Sequence, residues 1–327
     1  MYILYSCLEI TLTLLNSKMD FIIGGVAAMG AGLFTNPLEV AKTRMQLQGE
    51  LLARGKYAVH YKNAPHALYT IAKNEGILAI QKGLVPGLWV QLFLNGFRLG
   101  TFQFGYSHGF MSDKDGKQVL WKTMSVSCVG AVLGAVSASP LFLVKTRLQS
   151  QSASEVAVGF QHKHTGMISA FQHIYKEHGV KGLFRGVEAT IPRAAAGGTA
   201  QLTTFSVVKD WLVSEQIFTE HPIAQSFCAS MVGGVVVAIV MTPFDVISTR
   251  LYNQGVDSSG RGLLYDGYFD CVMKIWRKER FYGFFKGIGP SYLRLGPHTV
   301  LCLVFWDELN KFYIKFNEIK SSETVIS

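Results

Sequence analysis

Long apolar stretches alternate with polar stretches along the whole chain. Three of them, 21–38, 123–144 and 222–244, contain no charged residue. Each is about as long as a helix that crosses the hydrocarbon core of a bilayer. Each is followed by a loop, a short amphipathic segment and a second apolar stretch that carries isolated charges. The pattern predicts six membrane-spanning helices, over about 19–46, 82–108, 120–149, 184–213, 222–251 and 285–313.

The same order of elements occurs three times. Pro37, Pro140 and Pro243 lie near the ends of the uncharged stretches and are 103 residues apart in both intervals. Such a constant period indicates an internal triplication. We therefore divide the chain into an N-terminal extension, three repeats and a tail: 1–18, 19–110, 119–215, 222–315 and 316–327. Each repeat is predicted to contain a short amphipathic helix, near 63–74, 166–177 and 267–278. For the extension, a disordered or loosely helical segment is favoured over an apolar anchor.

Composition also favours a membrane protein. Hydrophobic residues make up 49% of the chain and charged residues only 16%, whereas about a quarter of the residues of a soluble protein are charged. The net charge is +9, but the basic residues lie in loops between apolar stretches, which favours a membrane surface over nucleic acid as the partner. The five cysteines have no metal-ligand spacing and are interpreted as reduced. The loop sequence His162-Lys163-His164 is expected to be solvated, and we predict no metal and no cofactor.

A motif follows each uncharged stretch. It reads Pro-x-acid-x-x-base-x-base, with local departures, and a base-Gly turn comes after the loop. These motifs resemble those of the mitochondrial carrier family, also called solute carrier family 25. The stretches 36–39, 251–254 and 295–298 are similar to its members 34 and 35, a subgroup similar to the oxaloacetate carrier.

The resemblance implies a fold and a location. The fold is an all-α membrane barrel of six helices with threefold pseudosymmetry, and the short helices lie on the matrix side. The chain is expected in the mitochondrial inner membrane as a monomer, with both termini facing the intermembrane space. It would work by alternating access through one central site. Gly83, Gly186 and Gly287, in the base-Gly turns, are implied to bind cardiolipin.

The resemblance also implies a gate at each side of the membrane. The kink prolines Pro37, Pro140 and Pro243 would bring the motif charges together at the matrix side. Two matrix-gate pairs are expected, Glu39 with Lys145 and Asp245 with Lys42. The third pair would need an acid at Phe142 and a base at Ser248, so a gate that opens readily is expected. At the other gate the motif positions are Gln103, Tyr106, Ser206, Lys209, Asp307 and Asn310, which favours hydrogen bonds over a salt-bridge network.

Charged residues interrupt the second, fourth and sixth apolar helices. Arg98, Arg193 and Arg294 each lie within an apolar run, and an arginine there costs several kcal/mol unless it faces protein or water. In the family, the levels of Arg193, Arg294 and Val90 with Gln91 are substrate contact points. Helical steps add two polar side chains to the same face. The predicted substrate-binding residues are Arg193, Arg294, Gln91, Arg98, Gln201 and His298. For Arg98, packing against carbonyl groups stays an alternative, as does simple packing for His298.

A basic cavity with little acid opposite predicts a small anion as substrate. The planar fork of arginine matches a carboxylate or a phosphate with two parallel hydrogen bonds. An arginine at the level of Arg193 is similar to the keto-acid and dicarboxylate carriers. We therefore predict a secondary transporter of small carboxylates, such as oxaloacetate-like dicarboxylates or keto acids. The alternatives are a proton-leak or uncoupling carrier, a carrier of sulfate, phosphate or nucleotide, and a non-transporting scaffold. An enzyme is not expected, because no nucleophile–base pair and no phosphate loop occur in the sequence.

Overall fold

The structure is a computed structural model that describes residues 18–53, 55–111, 119–215, 217, 222–257 and 260–326. The predicted extension therefore lies almost wholly outside the described residues. Within them the chain forms nine α-helices: α1 (Lys18–Leu47), α2 (Ala64–Glu75), α3 (Leu84–Ser107), α4 (Leu120–Ser150), α5 (Met167–Leu183), α6 (Val187–Ser214), α7 (Pro222–Asn253), α8 (Tyr268–Phe284) and α9 (Ile288–Ile326). Two short 3-10 segments, Ile77–Gln81 and Ser154–Val156, lie in the connections.

The six long helices lie close to the predicted stretches. Five of them end within a few residues of the predicted bounds, whereas α9 continues to Ile326 and includes most of the predicted tail. The short helices α5 and α8 are interrupted near their predicted ends. The backbone leaves helical geometry at Gly179 (φ 62°) in α5 and at Arg280 (φ 57°) in α8.

The long helices pack in a closed ring. Within each repeat the two long helices are neighbours, so α1 contacts α3, α4 contacts α6, and α7 contacts α9. Between repeats α3 packs on α4, α6 packs on α7, and α9 packs on α1, which closes the ring. The three first helices, α1, α4 and α7, also contact one another. This arrangement brings the three proline motifs together.

Threefold pseudosymmetry is visible in individual hydrogen bonds. The second motif base of each repeat donates from its Nε atom to a backbone carbonyl oxygen of the next repeat. The three bonds are Arg44 to Gln149 at 3.2 Å, Arg147 to Tyr252 at 3.4 Å and Arg250 to Gln46 at 3.4 Å. The last bond joins the third repeat to the first, so the contacts run round the ring.

Much of the outer surface is apolar. Three stretches of the described helices are long and apolar enough to cross a membrane, Ile77–Leu94, Trp121–Ser150 and Met231–Asn253. Large hydrophobic side chains are exposed on several long helices, among them Phe34, Trp89, Trp121, Val207 and Ile239. Exposed apolar surface of this extent is typical of a protein that contacts lipid or another partner.

The motif prolines lie inside the long helices α1, α4 and α7. A proline has no backbone N–H, so the carbonyl group four residues earlier loses its helical partner. In the first repeat that carbonyl belongs to Leu33, and it accepts a hydrogen bond of 3.0 Å from the side-chain amide of Gln81. Gln81 also accepts a bond of 3.0 Å from Asn36. A side chain from the segment before α3 thus satisfies the backbone that Pro37 leaves unpaired.

The base-Gly turns require glycine for two reasons. Gly83, Gly186 and Gly287 have φ values of 70°, 79° and 80°, a region that side chains strongly disfavour. A Cβ atom would also lie 2.8 Å from Gln149 at Gly83, 2.9 Å from Tyr252 at Gly186 and 2.9 Å from Gln46 at Gly287. Each turn therefore packs closely against the first long helix of the following repeat, the third turn packing on the first repeat.

Candidate functional site

A small cavity lies where the motif ends of α1, α4 and α7 converge with α3, α6 and α9. Its volume is about 140 Å³, below the range of about 300–1,000 Å³ that is typical of drug-sized ligands. Its charged lining residues are Glu39, Lys42, Lys145, Arg193, Asp245 and Arg294. These four cations and two carboxylates give the described lining a net charge of +2.

Two ion pairs connect the motifs of neighbouring repeats. Lys42 Nζ lies 2.5 Å from Asp245 Oδ2, which joins α1 to α7. Lys145 forms an ion pair with Glu39, which joins α4 to α1. All four side chains are largely buried. These are the two pairs that the sequence implies, and their service as a gate remains a prediction.

Each of the two carboxylates also contacts an arginine. Arg193 Nε donates to Asp245 Oδ1 at 2.5 Å, and Arg294 forms an ion pair with Glu39. The prediction that these arginines have little acid opposite them is therefore wrong for this conformation. The reason is tertiary, because the packing of α1 against α9 and of α6 against α7 brings a motif acid to the level of each arginine.

An aromatic contact occupies the place of the third ion pair. The guanidinium group of Arg193 lies 5.1 Å from the ring centroid of Phe142, and that ring stacks on Tyr252 with centroids 6.4 Å apart. The hydroxyl groups of Tyr252 and Thr190 form a hydrogen bond of 2.5 Å, and Ser248 donates to the carbonyl oxygen of Ala189. A cation–π contact of this kind contributes about 0.5–2 kcal/mol. Phe142 and Ser248, which stand where the motif has an acid and a base, thus each have a partner within the structure.

A polar layer lies one helical turn beyond the ion pairs. Thr43 donates to the side-chain oxygen of Gln149 at 2.9 Å, and Thr249 donates to that of Gln46 at 2.7 Å. Gln149 also donates to Asn36 at 3.3 Å. These contacts add cross-repeat bonds among residues that, apart from Asn36, also line the cavity. They were not predicted, although the glutamine that follows the motif in two repeats is a signal that could have revealed them.

Two buried charge clusters connect the long helices to the short ones. In the first repeat Arg44 holds both carboxylate oxygens of Glu75, and Lys82 Nζ lies 2.7 Å from the same group. Although burial acts in the opposite direction, the hydrogen bonds from Arg44 and Lys82 lower the pKa of Glu75.

The third repeat has the same cluster. Arg250 contacts Glu279 at 2.5 and 2.9 Å, and Lys286 Nζ lies 2.6 Å from Glu279. The sequence analysis missed both clusters, although each acid lies seven residues before the base of a base-Gly turn. In both turns the base is engaged with this acid.

The remaining predicted residues are placed as follows. Gln91 and Val90 line the cavity. His298 Nδ1 lies 3.2 Å from the hydroxyl of Thr35, which connects α9 to α1. The side chains of Arg98 and Gln201 lie outside the described part of the structure. At the other predicted gate only Asp307 has a described side chain, and it contacts Lys311 of the same helix at 2.6 Å.

The prediction that the His162-Lys163-His164 loop is solvated is wrong for its histidines. His164 is buried, and His162 Nε2 lies 2.8 Å from the carbonyl oxygen of Asn253. The loop packs between the second and third repeats, a contact that local sequence does not reveal. No cluster suited to a metal ion occurs among the described residues. Cys128, Cys271 and Cys302 are free thiols.

Comparison with known proteins agrees with the triplicate architecture. The chain matches the family described as "Mitochondrial carrier protein" over residues 15–110, 116–216 and 219–317. It is 50% identical to solute carrier family 25 member 35 of Mus musculus over 295 residues, which cover 90% of this chain and 98% of the relative.

Two fungal relatives are named for the substrates they carry. The chain is 41% identical to the mitochondrial oxaloacetate transport protein of Saccharomyces cerevisiae, with 89% of each chain covered. It is 36% identical to the mitochondrial citrate transporter E of Aspergillus niger, with 89% of this chain and 92% of the relative covered. The three matched repeats and the closed ring of long helices lead to one conclusion: the chain belongs to the mitochondrial carrier family of transporters.

Proposed function

We propose that the protein carries small dicarboxylates across the mitochondrial inner membrane by alternating access through its central cavity. The observation that carries this proposal is the +2 charge of the described cavity lining. A dicarboxylate brings two negative charges and neutralises it, whereas a monocarboxylate leaves one buried cation without a counterion. Buried charges of that kind are expensive. The oxaloacetate and citrate carriers among the relatives support the same class of substrate.

Arg193 and Arg294 are proposed to bind the two carboxylates of the substrate. Each guanidinium group contacts a carboxylate of the protein, which serves as an internal counterion. A substrate carboxylate would replace Asp245 at Arg193 and Glu39 at Arg294. The bidentate geometry of arginine favours this exchange, because a free dicarboxylate can align with both forks at once.

Substrate binding would then weaken the contacts that close the matrix side. In the structure Glu39 and Asp245 each contact both a lysine and an arginine of other helices. When the substrate occupies the arginines, each acid keeps only its lysine. With no third ion pair, two lysine contacts and the polar layer beneath them would remain to be broken. The substrate would in this way lower the barrier to opening.

The membrane setting follows from the family and remains a proposal in its details. We propose six spanning helices, with the three short helices on the matrix side and both termini facing the intermembrane space. A single chain would suffice for transport, because the long helices enclose one cavity. Cardiolipin binding at Gly83, Gly186 and Gly287 would rest on the backbone N–H groups at the starts of α3, α6 and α9.

Uptake into liposomes that contain cardiolipin and the purified protein tests the proposal. The liposomes are loaded with dicarboxylates, keto acids, sulfate, phosphate or nucleotides, and exchange is measured for the parent, Arg193→Ala and Arg294→Ala. Arg261→Ala is the control, because this exposed loop arginine lies away from the cavity. We expect saturable dicarboxylate exchange that is lost in both cavity variants and kept in the control.

Two results would contradict the proposal in different ways. Nucleotide exchange that survives both cavity substitutions would exclude the dicarboxylate assignment and leave the family assignment intact. Fatty-acid-dependent proton flux without any saturable exchange would favour an uncoupling carrier.

A further inference from the structure

The second repeat lacks the carboxylate of the buried charge clusters. Arg44 with Lys82 and Arg250 with Lys286 each enclose a glutamate, Glu75 or Glu279. At the corresponding place in the second repeat His178 replaces the glutamate. The two cations are retained as Arg147 and Arg185, and the spacing of seven residues between His178 and Arg185 is also retained.

Among the described residues, no carboxylate contacts either cation of the second repeat. Arg147 is only 4% exposed, and its guanidinium group makes one hydrogen bond, from Nε to the carbonyl oxygen of Tyr252 at 3.4 Å. Arg185 donates from Nη2 to the carbonyl oxygen of Gly260. Neither arginine forms an ion pair with any acid that the structure describes. Arg147 is thus buried and Arg185 half-buried, and neither contacts a described carboxylate as its counterparts in the other repeats do, an arrangement that is costly for a buried cation.

Several buried polar atoms near these arginines also lack partners among the described residues. Arg185 Nη1, both ring nitrogens of His164 and Asn253 Nδ2 are buried and have no hydrogen-bond partner among the described residues. His164 is 9% exposed. Buried polar groups are rarely left unpaired, because each costs about 1–3 kcal/mol. Arg185 Nη1, Asn253 Nδ2 and the single N–H of a neutral His164 are therefore unpaired donors, and they indicate a place for an acceptor group.

These groups belong to one neighbourhood. The rings of His162 and His164 stack with centroids 5.7 Å apart, and His173 meets His164 at 5.3 Å. Burial and then the charge of Arg147 lower the pKa of His164 to about 4. Burial and then the charge of Arg185 lower the pKa of His178. Both imidazoles are therefore neutral near pH 7 and can each donate one N–H to an anion without adding charge.

The nearest acids do not fill this place. Glu177 is about half exposed and contacts His173 at 3.1 Å and His178 at 3.9 Å. Asp257 stabilises the charge of Arg185 through space, but its side chain is exposed. Neither carboxylate occupies the position that Glu75 and Glu279 hold between two cations.

We propose that Arg147 and Arg185, with His164 and His178 beside them, form a binding site for a small oxyanion, a carboxylate or a phosphate group. The anion would take the place of the missing glutamate and link α4 to the end of α5 and the start of α6. The site is separate from the central cavity and does not depend on the proposed substrate. Its occupancy would stabilise the second repeat as Glu75 and Glu279 stabilise the other two.

Thermal unfolding of the purified, delipidated protein in detergent tests this site. Phosphate and formate are compared with chloride at equal ionic strength, since a ligand that binds the folded state raises the melting temperature. A further arm adds phosphatidylglycerol micelles, which supply a lipid phosphate. We expect phosphate or formate to raise the melting temperature of the parent by several degrees. A response to the lipid alone would assign the anion to a lipid headgroup.

His178→Glu and His178→Gln form the matched pair of variants. The glutamate supplies the missing carboxylate, so His178→Glu should melt higher in chloride and lose the response to anions. His178→Gln has nearly the same shape without the charge and should keep the response. Any response that survives in His178→Glu belongs to the central cavity.

Equal responses of the parent and His178→Glu would overturn the proposal, as would a parent that does not respond to any of the anions. If His178→Glu does not fold, Arg185→Gln takes its place. We expect that variant to lose the response, and a full response in Arg185→Gln would equally overturn the proposal.

Discussion

Replacing Arg280 by glycine should stabilise the protein. Arg280 has φ 57° and ψ −154°, a region that is essentially restricted to glycine and costs other residues about 1–3 kcal/mol. Gly76 and Gly179 stand at the corresponding positions of the other repeats, with φ 87° and 62°. The arginine side chain is exposed, so its removal loses little packing.

The expected gain in the free energy of unfolding is the backbone strain energy that is relieved minus the entropic cost of introducing a glycine. Glycine loses about 0.5–1 kcal/mol more than alanine on folding, which leaves a net gain of about 0.5–2 kcal/mol. A change of 1 kcal/mol moves the melting temperature by about 2–4 °C in a domain of 150–250 residues. We therefore expect Arg280→Gly to melt a few degrees above the parent in detergent, at one fixed scan rate.

Arg277→Gly is the matched control. Arg277 lies three residues earlier on α8, is exposed and has helical geometry. The same substitution there should destabilise the protein by about 1 kcal/mol, because glycine disfavours a helix interior. A melting temperature of Arg280→Gly at or below that of the parent would refute the assignment of strain to this residue.

Three further predictions concern the turns, the buried charges and pH. Gly186→Ala should lower the free energy of unfolding by about 2–5 kcal/mol, because of the positive φ and the contact with Tyr252. Gly55 also has a positive φ, 84°, but no atom lies within 4 Å of its Cβ position, so Gly55→Ala should lower it by only about 1–2 kcal/mol. The melting temperatures of the two variants test this difference. Glu279→Gln should cost about 3–5 kcal/mol in the free energy of unfolding, because it removes the carboxylate that contacts the buried Arg250, and equal melting of this variant and the parent would contradict a buried ion pair. The folded pKa of His164 is about 4, below the usual value of about 6.5, so the unfolded chain binds the extra proton between these values. Stability should fall as the pH is lowered from about 6.5 to about 4. The melting temperature of His164→Gln should depend less steeply on pH over this range than that of the parent.

The architecture could be predicted because its signals are local and occur three times. Apolar length located the long helices, and the constant interval between Pro37, Pro140 and Pro243 revealed the repeats. The family motif then implied which charges meet, and Glu39 contacts Lys145 and Lys42 contacts Asp245 in the structure. Phe142 is recognised as a departure from the motif because the other two repeats have an acid, Glu39 or Asp245, at the same position.

The missed features depend on contacts between distant parts of the chain. Arg193 is 52 residues from Asp245, and Arg294 is 255 residues from Glu39, so only the packed ring brings them together. The burial of His164 likewise depends on how its loop lies against the third repeat. Glu75 and Glu279 did carry a local signal, their fixed distance from the base-Gly turn, but a polar residue at a helix end is usually solvated.

The central claim is that Arg193 and Arg294 each bind one carboxylate of the substrate. The most direct test compares a dicarboxylate with its monoamide, which lacks one negative charge. Exchange rates of both compounds are measured in liposomes with the parent, Arg193→Gln and Arg294→Gln. If each arginine binds one carboxylate, the parent should strongly prefer the dicarboxylate, and each variant should lose most of that preference because one charge no longer has a partner. An undiminished preference in both variants would show that the carboxylates bind elsewhere and would contradict the proposed site.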